Sequence, residues 1–339
     1  MFGKKDIGID LGTATVQVYV SGKGVMISEP CVLAINSTTE EVIKYGKEAY
    51  GMIGRTPANI KIIKPLQGGV VHEYEPTSRM IKHYLKSACG GFIVSPRVMI
   101  CTPSSTSDVE QKAVRDAALQ AGAKEIYLMD EPLLAAFGAG VGINDSSGHM
   151  IVDIGGGTTD IAVIVNGSVI VSDSVKIAGD TFNRNIIRYV RDTYNLLIGE
   201  KTAEKLKFQI GWVFAHKHPS EALAKGLCLD TGLPRAHTVT SFEMLKALSP
   251  SLGVILGRIK DVLVRTPPEI VKDIFENGIT LTGGGSLIHG LPDLIRKNTG
   301  INTVLASNPL HCVALGTGVA LDNLKYFKEQ MNETRNSMR

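Results

Sequence analysis

Met150-Ile-Val-Asp-Ile-Gly-Gly-Gly-Thr-Thr-Asp160, running on as Ile161-Ala-Val-Ile-Val165, is the stretch that decides how this chain folds. An apolar run closes on Asp153, three glycines and two threonines follow, and a second apolar run departs. That is the pattern of strand, tight turn, strand. Glycines adopt backbone conformations closed to other residues, so the N–H groups of Gly155, Gly156 and Gly157 can converge on an anion. Thr158 and Thr159 add hydroxyls, and Asp153 sets a carboxylate beside the turn, where a phosphate-bound magnesium would sit. Mg²⁺ favours one or two carboxylates, several waters and substrate oxygens. Taken alone, the segment could also be a glycine-rich hairpin with no ligand.

The chain repeats the device near its start. Asp6-Ile-Gly-Ile-Asp10 reads as a strand, Leu11-Gly12-Thr13-Ala14-Thr15 as a turn, and Val16-Gln-Val-Tyr-Val20 as the returning strand. In both copies a second turn follows, Ser21-Gly-Lys-Gly24 in one and Asn166-Gly167 in the other, and then a third strand. Asn-Gly between apolar runs is a strong hairpin signal. Asp10 and Asp153 therefore hold equivalent places in an internal duplication. Two such hairpins facing each other would clamp one polyphosphate, with a carboxylate from each at the metal.

At 339 residues with a formal net charge of +3, the chain reads as a two-lobed soluble protein. No basic run with interleaved aromatics suggests a nucleic-acid surface, so no nucleic-acid partner is expected. Cys31, Cys89, Cys101, Cys228 and Cys312 are scattered without a CxxC pair, which points to reduced thiols in a cytosolic protein. The sequence enters a strand at once, with no signal peptide, and no apolar run reaches the ~18 residues of a spanning helix.

Between the hairpins, residues 25–75 read as short strands and turns, Pro76 to Lys86 as helix, and Arg97-Val-Met-Ile-Cys101 as a buried strand. Ser107-Asp-Val-Glu110 has the capping-box form and opens a helix to about Gln120. Glu125-Ile-Tyr-Leu-Met129 is a strand ending in Asp130-Glu131-Pro132, a carboxylate pair at a strand's carboxyl end, well placed for chemistry. The plainer reading is a solvated loop acid. After the second hairpin, Ala178-Gly179-Asp180 leads into a helix through Tyr194 with Asp180 as its cap. Residues 200–250 are more polar and resemble an insertion; within them Glu204 and Lys207 share a helix face, a spacing usual for a surface ion pair. Ile279-Thr-Leu-Thr282 runs into Gly283-Gly284-Gly285-Ser286, glycines that a flat ring or a sugar would need close by. Residues 310–324 form a small-residue helix suited to close packing, and residues 325–339 are polar and charged.

Together these residues resemble the actin/heat-shock-chaperone/sugar-kinase ATPase superfamily and, within it, the MreB family of bacterial actins. Asp10-Leu-Gly-Thr-Ala14 is similar to the first phosphate loop, Asp153-Ile-Gly-Gly-Gly-Thr-Thr159 to the second and Thr282-Gly-Gly-Gly-Ser286 to the adenosine loop. Arg55-Thr-Pro57, Asp130-Glu-Pro132, Tyr194-Asn-Leu-Leu-Ile-Gly-Glu200, Thr231-Gly-Leu-Pro234 and Ala314-Leu-Gly-Thr-Gly318 resemble segments particular to MreB.

The resemblance implies a two-lobed α/β actin-like ATPase fold, each lobe built on a ribonuclease-H-like mixed sheet flanked by helices, with smaller inserted subdomains. Lobe I would be 1–149 plus 310–339, with a subdomain at about 31–75; lobe II would be 150–309, with an inserted subdomain at about 184–250. ATP or ADP and Mg²⁺ would lie in the cleft, with Asp10 and Asp153 at the metal. Gly12, Thr13, Ala14 and Thr15, Gly155 to Thr159, and Gly179 with Asp180 would line the nucleotide. Glu131 would position the attacking water, assisted by Thr158. The adenosine would lie between Gly283–Ser286 and the Glu204/Lys207 face, and the lobes would be joined by helices near Ala135–Gly138 and Ala314–Gly318.

What the resemblance further implies is a slow ATPase that polymerises into filaments, as paired protofilaments, at the inner face of the cell membrane. Partners would include itself, the membrane, other MreB paralogues and morphogenetic membrane proteins. Phe92, Ile93 and Val94 sit where the family carries its membrane-insertion loop. The tail, with Lys325, Tyr326, Phe327 and Lys328, has a basic amphipathic character that could lie in an interface; it could also be a solvated end. Thr15-Val16 where the family has Asn-Thr, Gln67-Gly68-Gly69 where it has Arg-Asp-Gly, and Asp160 for Glu mark a divergent member. A nucleotide-binding scaffold that no longer hydrolyses is therefore a second expectation. A small-molecule kinase would need a further base facing a sugar pocket, and a chaperone-type ATPase a peptide-binding domain.

Overall fold

The duplication goes further than the hairpins, because it is carried by two five-stranded sheets of the same strand arrangement. The computed structural model describes residues 6–90, 96–103, 106–214 and 218–327. Met1–Asp145, Asn166–Ser168 and Leu310–Arg339 form one unit, Ser146–Val165 and Val169–Pro309 the other.

In the first unit β1 (Asp6–Leu11), β2 (Thr15–Val20) and β3 (Gly24–Pro30) run antiparallel. A small sheet follows from β4 (Leu33–Asn36), β5 (Val42–Tyr45), α1 (Gly46–Met52) and β6 (Ile60–Ile63), in the order β5-β4-β6. A two-stranded hairpin, β7 (Leu66–Gln67) and β8 (Val70–Val71), leads to α2 (Tyr74–Cys89). Then β9 (Arg97–Thr102), α3 (Asp108–Gln120), β10 (Glu125–Asp130) and α4 (Glu131–Gly138) complete the sheet in the order β10-β9-β1-β2-β3. The capping box opens α3 as the sequence predicts: Glu110 N–H donates to Ser107 Oγ at 3.4 Å and Ser107 N–H to Glu110 Oε2 at 2.8 Å.

In the second unit β11 (His149–Ile154), β12 (Thr159–Val165) and β13 (Ser168–Val175) repeat the antiparallel trio. There follow α5 (Gly179–Tyr194), β14 (Leu196–Leu197), α6 (Glu200–Ile210), β15 (Glu221–Cys228), β16 (Pro234–Thr240), α7 (Ser241–Arg265), α8 (Pro268–Asn277) and β17 (Ile279–Thr282). A 3-10 turn at Gly284–Leu287, α9 (Leu291–Thr299) and β18 (Thr303–Leu305) close it, with sheet order β13-β12-β11-β17-β18. In each sheet the central strand also pairs in parallel with a strand outside the trio, β9 against β1 and β17 against β11. α5 packs into one buried cluster with the sheet and with residues of the region expected as an insertion, Leu206, Ala224 and Val239 among them. Its Phe182, Ile186 and Val190 are buried with Met150 and Val152 of the sheet.

The last helix, α10 (Cys312–Asp322), returns to the first unit and crosses α4. The crossing depends on glycine: a Cβ on Gly138 would lie 1.8 Å from Cys312 O, and one on Gly316 would lie 1.8 Å from Leu134 O. The small-residue character of residues 310–324 thus serves backbone-to-backbone contact within one unit. Beyond it, Phe327 is only 6% exposed and its ring lies 5.6 Å from that of Phe137. Tyr326 donates its hydroxyl to Asn166 O at 3.1 Å. The Phe327 ring is committed to its own unit, which corrects the expectation that it faces a bilayer; Tyr326 is half-buried and Lys325 exposed. Phe92, Ile93, Val94 and Lys328 lie outside the described residues. Among the described residues no helix is long and apolar enough to cross a membrane.

Candidate active site

The two glycine turns are built alike. In the first unit Gly12 N–H donates to Thr15 O at 3.0 Å; in the second Gly155 N–H donates to Thr158 O at 2.9 Å. Gly12 therefore matches Gly155, and Thr15 matches Thr158. Asp10 is next to last in β1 and Asp153 next to last in β11, each just before its turn, and both are buried, at 8% and 2% exposed.

Each aspartate takes a hydrogen bond from the neighbouring parallel strand. Cys101 of β9 donates its thiol to Asp10 Oδ1 at 3.3 Å, and Thr282 of β17 donates its hydroxyl to Asp153 Oδ1. Reading the sequence as one duplicated hairpin missed both partners. The signal was present, since each residue lies at the carboxyl end of the strand that pairs with the aspartate's strand, Cys101 next to last in β9 and Thr282 last in β17. Burial pushes the Asp10 carboxyl up to about 6, and the Cys101 hydrogen bond acts against that. Burial first, then the charges of Asp10 and Glu131, hold the Cys101 thiol well above its ordinary range. Glu131, the first residue of α4, thus lies within electrostatic reach of Cys101, and Cys101 is bonded to Asp10. Asp130 precedes it at the N-cap position without a side-chain cap, and burial raises its carboxyl.

A second contact in the first unit was noted in the sequence only as a departure from family pattern. Gly68 and Gly69, at φ 55° and 79°, form the two-residue turn between β7 and β8, a conformation that favours glycine. Gly69 N–H donates to Thr13 Oγ1 at 2.8 Å, so this hairpin is held on the first phosphate turn. Ala14 and Thr15 are exposed at the turn's tip.

In the second unit several predicted residues converge on Gly155 and Gly156. Gly179 N–H donates to Gly155 O at 3.2 Å and Asp180 N–H to Gly156 O at 2.8 Å. Asp180 is accordingly inside the first turn of α5, with Ala178 at the N-cap position, which corrects its expected role as the cap. The positive end of α5 is brought against the glycine turn, where an anion is favoured. Lys207 is buried on α6 and donates Nζ–H to Gly179 O at 3.2 Å. Burial lowers its affinity for a proton, against the opposing pull of Glu204, Asp180 and Glu200. The loop Gly283–Ser286 packs on the same turn: a Cβ on Gly285 would lie 2.9 Å from Ile154 O and 3.1 Å from Gly155 O.

Two of the predicted ligand residues spend their hydroxyls inside the unit. Thr159 donates its hydroxyl to Ile177 O at 2.7 Å and is fully buried, because successive strand residues point to opposite faces. Ser286 donates its hydroxyl to Gly283 O at 2.6 Å and closes the loop from within.

Within each unit the donors beside the glycine turn are of the kind a magnesium nucleotide uses. Among the described residues there is no cluster of three or more His, Cys, Asp or Glu that could cage a metal. Each unit instead offers one buried carboxylate beside a glycine turn, the provision Mg²⁺ uses when phosphate oxygens and water complete its shell.

The MreB/Mbl protein model matches residues 4–329. The cell shape-determining protein Mbl of Bacillus cereus (strain ATCC 10987 / NRS 248) is 47% identical over 321 residues, covering 94% of this chain and 96% of Mbl. The crystal structure of MreB5 of Spiroplasma citri bound to ADP superposes with a TM-score of 0.92 at 36% identity, covering 96% of this chain and 98% of that one. The AMPPNP complex of MreB5 gives 0.90 at 35% identity, covering 97% and 99%. A chain of the MamK double helical filament, 22% identical, shares the fold with a TM-score of 0.81 over 94% of this chain and 99% of that one. The fold is that of the bacterial actins.

Proposed function

This chain belongs to the MreB/Mbl family, and from that we propose that it is an ATP-hydrolysing bacterial actin that assembles into membrane-associated filaments. The observation that carries the reading is the paired turn: two equivalent glycine turns, each beside a buried aspartate bonded from its parallel neighbour strand. The nucleotide complexes of MreB5 support adenine nucleotide as the ligand.

Asp10 and Asp153 would hold Mg²⁺, which supplies charge neutralisation on the phosphates. The amides of both turns and the α5 N-terminus bind and orient the polyphosphate. Glu131 orients a water and accepts its proton, with Thr158 helping to place it. This division suits phosphoryl transfer, where positioning and charge stabilisation dominate. Adenosine is held by Gly283–Ser286 on one side and by Glu204 and Lys207 on the other. Slow turnover would then time the filament state. Unlike faces of identical subunits joined head to tail give open filaments when the rotation does not close, and the filament formed by MamK, of the same fold, is consistent with this.

Electron microscopy and phosphate release from the purified chain test the reading together. Filaments with ATP and slow release of phosphate are expected. Filaments without release would establish the scaffold reading, which the altered Thr15-Val16 of the first turn favours. Neither filaments nor nucleotide binding would remove the proposal.

Membrane association is proposed through the apolar Phe92-Ile93-Val94 and the basic tail. Because Phe327 packs on Phe137, a tail truncation must begin after it. Phe92→Ser with Ile93→Ser should reduce liposome pelleting at any salt. Removing residues 328–339 should reduce it mainly at low salt on anionic lipid, each Lys or Arg contributing ~1 kcal/mol near such a surface. Pelleting that survives both changes together would exclude both elements as the anchor.

A further inference from the structure

The residues that follow α6 are tied to a segment far along the chain. Directly after α6, Trp212 makes an isolated parallel bridge to His289. Val213 N–H donates to His289 O at 2.9 Å, and His289 N–H donates to Gly211 O at 3.1 Å. The Trp212 and His289 rings stack with centroids 5.0 Å apart and planes 26° from parallel. One residue on, Gly290 at φ 80° lies against Phe214, where a Cβ would come within 2.6 Å of the Phe214 Cβ. Lys297 Nζ then covers the Phe214 ring at 5.7 Å.

This strap ties together two elements that are far apart in the chain. Residues 211–214 follow the helix that carries Glu204 and Lys207, and residues 288–290 follow the loop Gly283–Ser286. These are the two walls assigned above to adenosine. A bridge of two backbone hydrogen bonds is weak by itself, and stacked rings add directional attraction to it. Fixing the walls before the ligand arrives removes part of the ordering cost of binding.

We propose that Trp212 and His289 are positioning residues for the base and ribose of a bound adenine nucleotide, acting by holding α6 against the glycine loop. The inference rests on the adenine-nucleotide reading above. It predicts selectivity: the strap should matter to the nucleoside and not to the phosphates, which the two glycine turns bind.

Trp212 is the chain's only tryptophan, so its emission reads the strap directly in the unmodified protein. Titration with AMPPNP–Mg²⁺ should change that emission, whereas tripolyphosphate–Mg²⁺ should bind and leave it unchanged. Trp212→Ala and His289→Ala should each weaken AMPPNP about tenfold with tripolyphosphate affinity held. Trp212→Phe, which keeps an aromatic face, should recover most of the loss. Melting curves by circular dichroism identify any variant that fails to fold, in which case the emission titration of the unmodified chain decides. Emission indifferent to AMPPNP, AMPPNP affinity unchanged in both alanine variants, or equal weakening of AMPPNP and tripolyphosphate would each overturn the strap alone. An unmodified chain that binds neither ligand would overturn the nucleotide reading and the strap with it.

Discussion

Glu131→Ala should retain nucleotide binding and lose phosphate release by about 10²–10⁴-fold, the usual contribution of a positioned proton-handling group. The expectation follows from where the residue stands. It opens α4 directly after β10 and lies within electrostatic reach of Cys101, itself bonded to Asp10. Binding should survive because the turns that hold the phosphates do not include it. Glu131→Gln keeps the shape and the hydrogen-bonding capacity but not the base, so it should fall nearly as far. Single-turnover phosphate release beside nucleotide affinity makes the comparison. Release within a few-fold of the unmodified chain in both variants would take Glu131 out of the reaction.

Asp153→Asn should abolish the gain in nucleotide affinity that Mg²⁺ confers. Asparagine keeps the volume and can still accept from Thr282, so the buried hydrogen bond of this 2% exposed side chain survives while its charge is lost. Partners one step removed from a metal typically cost 10–100-fold when lost. Asp153→Asn should therefore cost ~100-fold or more in magnesium-nucleotide affinity, and Thr282→Val about tenfold. Asp10→Asn should behave as Asp153→Asn does, with Cys101→Ala in the place of Thr282→Val. Titrations with and without Mg²⁺ separate metal-dependent from metal-independent binding. Affinities that respond to Mg²⁺ in both aspartate variants as they do in the unmodified chain would show that the paired turns do not share a metal.

The repeat is legible in the sequence because it is local. Asp10 with Gly12 and Asp153 with Gly155 stand within a few residues of each other, and alternation and glycine position give strand and turn directly. The Ser107–Glu110 capping box is legible for the same reason, its two hydrogen bonds spanning one helical turn. Asp180 stands two residues inside the helix that Ala178 caps, since the amides of Gly179 and Asp180 bond to Gly155 and Gly156. No local rule contains that contact.

By itself the sequence determined the two glycine turns, their aspartates and the family to which the chain belongs. Tertiary structure alone decided which residue of the parallel neighbour strand meets each aspartate, Cys101 at one and Thr282 at the other. It turned Thr159 and Ser286 inward, set Gly69 on Thr13, buried Phe327 against Phe137, and stacked Trp212 on His289. The physical reason is common to all of these. A turn or a cap is fixed by the conformations open to neighbouring residues, whereas a hydroxyl, thiol or ring takes its partner from whatever chain packing brings beside it, and that choice is not written in adjacent positions.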